Sequence, residues 1–78
     1  MQPTDHYAEA ELIASLLEKE GRPIQGRQMR DAMGHFSGTE IFMHLRVALS
    51  ELLNDKGLSE TTRSRIRVLH TKVNSALQ

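Results

Sequence analysis

Residues 36–53 read FSGTEIFMHLRVALSELL, and this stretch decides the fold. Ser37 and Glu40 have the S-x-x-E spacing of a capping box, in which hydroxyl and carboxylate each accept a backbone amide at the start of a helix. Phe36 stands before the cap and Ile41 at the fourth helical position, the arrangement of a hydrophobic staple. Beyond them Ile41, Phe42, Leu45, Ala48, Leu49, Leu52 and Leu53 recur at helical spacing and form a wide apolar stripe. The pattern predicts a helix over about 38–54, with the remaining chain packed on it.

Working outward, Thr4 or Asp5 can cap a first helix over about 5–20. Tyr7, Ala10, Ile13, Ala14 and Leu17 share a face, which Leu12 and Leu16 widen. Gly21 is a helix stop, and Pro23 cannot continue that helix. A short second helix is expected over about 26–33, with Met29, Ala32 and Met33 inward and Arg27 and Arg30 outward. Gly26 and Gly34 read as its punctuation. After the third helix, Ser59 can cap a fourth over about 60–77, with Leu58 as its staple residue. Ile66, Leu69, Val73, Ala76 and Leu77 form its stripe, with Val68 at the edge. Residues 1–3 read as a frayed tail.

Period-two alternation and hairpin dipeptides are missing. The fold expected is therefore all-α, a small bundle of about four helices. The last two, joined by Asn54–Leu58, read as an antiparallel αα-hairpin. Seventy-eight residues make a single domain, 1–78. A chain this short buries roughly 60% of its unfolded surface, so a homodimer is a plausible means of burying the rest of the stripe.

Composition narrows the setting. There is no cysteine, hence no disulfide and no thiolate metal site, which fits a cytoplasmic location. The N-terminal stretch lacks the basic and apolar regions of a secretory signal, and no apolar run is long enough for a membrane span. Net charge is zero but uneven. Residues 1–20 hold five acids against Lys19, a net of −4, and residues 59–78 hold three arginines and Lys72 against Glu60, a net of +3. Antiparallel packing could pair the two ends, although exposed ion pairs contribute only about 0–1 kcal/mol each.

No nucleophile elbow, phosphate loop, dinucleotide-binding glycine pattern or H-E-x-x-H appears, so no catalytic residue is assigned. A chain of this size is also expected to offer little room for a pocket of a few hundred Å³. His6, His35, His44 and His70 are never four apart, and neither metal nor cofactor is expected. Protonation of the four histidines near pH 6 would raise the net charge and could make an association acid-sensitive.

Two binding classes follow. Gly26–Val47 has a helix, break, helix order, as in DNA-binding helix-turn-helix units, and the opening ELIASLLEKEGRPIQGRQMRDAMG looks like the start of winged-helix domains. Against this, Glu40, Ile41, Phe42 and Met43 occupy the start of the second helix, where base-reading groups belong. Arg30 stands where a small alanine is usual, and the strands of a wing are missing. The other class is protein contact through the stripe and the flexible Met29, Met33 and Met43. The candidate interaction surface is Phe42, Leu49 and Leu53 on the third helix, with Arg63, Arg65, Arg67 and Lys72 on the fourth.

The segment LIASLLEKEGRPIQGRQMRDAM resembles the centre of a small bacterial family, the two-component-system connectors and biofilm and acid-resistance regulators of the YmgB/AriR group. EIFMHLRVALSEL and SRIRVLHTKVNSAL are similar in pattern to that family's closing helices. The likeness spans about residues 10–77, with an insertion near Gly34–Gly38. It implies a small helical dimer that regulates stress or biofilm genes by contacting a signalling protein or DNA, and it carries over no individual functional residue. The function expected is a cytoplasmic, non-enzymatic regulatory or adaptor protein acting through protein contacts. A small DNA-binding regulator is the alternative.

Overall fold

The first helix, α1 (His6–Lys19), ends at a glycine-dependent cap. Gly21 has φ +82°, a conformation that suits glycine because it has no Cβ to clash. The Arg22 amide donates to the Leu17 carbonyl at 2.7 Å and the Gly21 amide to that of Glu18 at 3.3 Å, the paired bonds of a Schellman motif. Pro23 then opens α2 (Pro23–His35), where its fixed φ and missing amide hydrogen cost nothing. The chain leaves α2 through an extended Phe36 and enters α3 (Thr39–Leu52), followed by α4 (Glu60–Leu77). The computed structural model describes residues 6–36 and 38–77. There are four helices and no strand among the described residues, so the molecule is the small all-α bundle that the periodicities predict. The expected caps at Thr4, Asp5 and Ser37, and the tail 1–3, lie outside the described residues.

The local readings of α2 and α3 are corrected. α2 extends beyond 26–33 at both ends, because Pro23 starts it and Gly34 falls inside its last turn. Gly26 is therefore not punctuation. It is buried, and a Cβ there would stand 2.9 Å from the Ala14 carbonyl and 3.0 Å from Glu18 Cγ. Its role is to let α2 approach the alanine-rich face of α1. α3 begins at Thr39 rather than 38, with Gly38 before it at φ +59°. Glu40 is then the second helical residue, one position early for the capping box. Phe36 stacks on His44, with ring centroids 3.7 Å apart.

Each helix packs on two others, α1 on α2, α2 on α3, α3 on α4 and α4 on α1, with α1/α2 and α3/α4 the larger interfaces. The interior is one cluster: Ala10, Ile13, Ala14 and Leu17 from α1, Met29 and Ala32 from α2, Ile41, Leu45, Leu49 and Leu52 from α3, Leu58 from the last connection, and Ile66, Leu69 and Val73 from α4. Ser50 bonds His70 at 2.9 Å and Arg63 donates to the Leu53 carbonyl at 3.5 Å. Going back along the chain from Leu53 to Ser50 thus goes forward along α4 from Arg63 to His70, which is compatible with an antiparallel hairpin. The stripe of α3 is covered largely by its own chain. At its margins Tyr7, Leu12 and Val68 are exposed, as is Ala76.

One end of the bundle is tied by polar contacts between connections. The Arg22 guanidinium grips Asp55 with two bonds, Nε to Oδ2 at 2.6 Å and Nη2 to Oδ1 at 3.0 Å, joining the α1–α2 turn to the α3–α4 turn. A Cβ at Gly57 would come within 2.5 Å of that guanidinium. The Gly57 amide also donates to Asp55 at 2.9 Å. Beside this clasp, the Ser59 hydroxyl caps α4 by accepting the Thr62 amide at 3.3 Å. Glu20 adds its carboxylate to the same helix start, accepting the Ser59 amide at 2.7 Å, the Ser59 hydroxyl at 2.9 Å and the hydroxyl of buried Thr62. The negative charge suits the positive end of the α4 dipole. The Thr62 hydroxyl, then the Ser59 amide, hold the Glu20 carboxyl below its ordinary range.

The clasp makes a pH prediction. The Arg22 hydrogen bond, then that from the Gly57 amide, depress Asp55 from 3.8 to about 2. A carboxyl that binds protons less readily when folded contributes stability above its unfolded pKa and loses it on acidification. Between about pH 4 and pH 2 the thermal midpoint should therefore fall less steeply in Asp55→Asn than in the parent, as read by melting at a series of pH values.

Candidate functional site

The residues singled out from the sequence do not form one surface. Leu49 is 0% exposed and belongs to the core, so it cannot face a partner. Its helical position puts it between Leu45 and Leu52 on the inward face. Phe42 and Leu53 are half-buried against that core, and Phe42 meets the His6 ring edge-on at 5.2 Å. On α4, Arg63 is half-buried and turned to the Leu53 carbonyl, whereas Arg67 is exposed. The two arginines, four residues apart, therefore do not share an exposed face. Arg65 pairs with Glu9 at 3.7 Å, one instance of the acidic beginning meeting the basic end, and Lys72 is half-buried. Arg30, expected outward, lies over α1 instead, 3.0 Å from Glu11 and 3.2 Å from Glu18, with a bond to the Ser15 hydroxyl at 3.1 Å.

What the structure does assemble is a groove between α2 and α3. Ala32, Phe36, Val47 and Ala48 give it an apolar floor, with Gln28, Asp31, His44 and Glu51 around them. This part has a volume of about 490 Å³, more than so short a chain was expected to offer, and it lies open on the surface. A second hollow continues it along the same two helices towards Ile24, sharing Gln28, Ala48 and Glu51. Val47 is 57% and Ile24 70% exposed, large apolar side chains that the bundle leaves in water. Met43, on the outer side of α3, is 50% exposed.

The groove follows from the packing of its walls. Met29 and Ala32 point α2 into the core, and Ile41, Leu45, Leu49 and Leu52 do the same for α3. Where the helices meet, the small side chains of Ala32 and Ala48 leave a trough. Ala32 and Ala48 read from the sequence as inward residues, and Ile24 and Val47 lie beside the stripes, so periodicity alone does not reveal a trough. Apolar Ile24 and Val47 off the helical period were the available signal.

Chemically the groove suits contact with an apolar face. Its acids and His44 lie along walls of two helices, and no three of His, Asp and Glu come together to hold a metal ion among the described residues. No described helix is long and apolar enough to cross a membrane. Comparisons with protein-family models, with curated proteins and with solved structures give no match.

Proposed function

We propose that this chain is a small regulatory or adaptor protein that acts by binding another protein, not by catalysis. The observation that carries the reading is the α2–α3 groove with Ile24 and Val47 exposed along it. Burying apolar surface is worth about 25 cal/mol per Å², so a partner that covers these side chains gains what folding leaves unused. The resemblance of residues 10–77 to bacterial stress and biofilm regulators supports the same class of role in the cytoplasm.

Self-association is a second reading, favoured by Met43 and Val47 standing exposed on one helix. A homodimer would sediment at twice the 8.8 kDa of the chain. Less supports DNA binding through α4, since Arg63 is turned to a backbone carbonyl and Arg65 pairs with an acid. Affinity capture from the native host, with and without nuclease and at two salt concentrations, tests the proposal. Protein recovered independently of nuclease, and rebound in purified form, is the expected result. Recovery that vanishes with nuclease and falls steeply with salt would replace it with the DNA reading.

A further inference from the structure

We infer that the α2–α3 groove docks an amphipathic helix of another protein whose apolar stripe is flanked by lysine or arginine side chains. The inference rests on the protein-binding reading and names the chemistry of the partner. Dimensions come first. The groove follows α2 from Ile24 to Phe36, roughly 18 Å at the helical rise, enough for about three turns of a partner. Ala32 on one wall and Ala48 on the other leave depth for large side chains entering at i, i+3 or i+4 and i+7, the anchor spacing of a helix held in a groove.

Charge then selects among partners. Each wall carries an acid, Asp31 on α2 and Glu51 on α3, and neither segment of the groove is lined by lysine or arginine. Glu51 has no ion pair among the described residues, and Asp31 has His35 of its own helix at 4.0 Å. At the far end Asp55 is already gripped by Arg22. A helix with basic flanks would supply the missing charges, and one with acidic flanks would be repelled from both walls.

The same charges disfavour a second copy. Groove against groove would bring two acidic rims together. The outer face of α4, the basic helix, offers Val68 as its exposed large apolar side chain, too little to fill a trough of this length.

The test is selection from a displayed library of 14-residue helical peptides on the whole protein. Enriched peptides should carry apolar residues at i, i+3 or i+4 and i+7, with lysine or arginine on the flanks. Val47→Asp and Glu51→Lys should each weaken a selected peptide by about tenfold or more, the scale of a central contact. Val68→Asp on α4 should leave binding within about twofold. Exchanging the peptide's basic flanks for glutamate should restore affinity to Glu51→Lys. No enrichment, acidic flanks, or binding indifferent to Val47→Asp would overturn the inference. If selection fails while the chain sediments as a dimer, or while captured partners bind Val47→Asp unchanged, protein contact stands and the groove does not.

Discussion

Leu49→Ala is expected to lower the unfolding free energy by about 2–5 kcal/mol, the cost of emptying a closed core site. Leu49 is wholly buried and sits among residues drawn from every helix. Removing its branched end forfeits the transfer energy of three carbons and leaves a cavity that rigid helices cannot fully close. For a chain of 78 residues the change is large, because small domains have little stability to spare. Urea unfolding followed by circular dichroism measures it. A loss under about 1 kcal/mol would place Leu49 at a surface and undo the packing described here.

Gly26→Val should be the second large effect, and of opposite physical origin. Its Cβ would press on the Ala14 carbonyl, a backbone atom that cannot swing aside, and on the Glu18 side chain. Overpacking of this kind costs about 1–3 kcal/mol. Gly34 is the control within the same helix. It meets nothing within 4 Å, so Gly34→Ala should stabilise by about 0.5–1 kcal/mol through helix propensity alone. Equal effects at the two glycines would mean that α1 and α2 do not approach closely at Gly26.

The contrast between these glycines shows what the sequence makes legible. Periodicity identifies a core when a residue's neighbours lie three or four places away. Leu17, Leu45, Leu49, Ile66 and Leu69 are all on predicted stripes and all buried. Ser59 and Gly21 are equally readable, since cap and stop are local chemistry. Gly26 is not readable in this way, because one letter stands both for a helix breaker and for a close crossing, and the distinction depends on Ala14, twelve positions away. The same limit hides Arg22–Asp55, separated by 33 residues. The helix face of Arg30 points to solvent in the sequence, yet its long side chain reaches acids on the neighbouring helix.

The candidate site was the least legible part. Phe42, Leu49 and Leu53 lie on the most apolar face in the sequence, and a fold of this size uses that face on itself. What remains for a partner is the apolar surface next to the stripe, at Ile24 and Val47, and it becomes a groove once α2 and α3 are side by side. Charges followed the same logic. Arg63 and Arg65 looked like a patch in one dimension, but one turns to a carbonyl and the other pairs with Glu9.

The most direct measurement is the affinity of a captured and purified partner for the parent chain and for Val47→Asp, with circular dichroism confirming that both are folded. Val47 is exposed, so the substitution leaves the core intact while placing a charge in the groove. The account predicts equal helicity and about tenfold or greater loss of affinity in the variant. Equal affinity in the two folded proteins would contradict it.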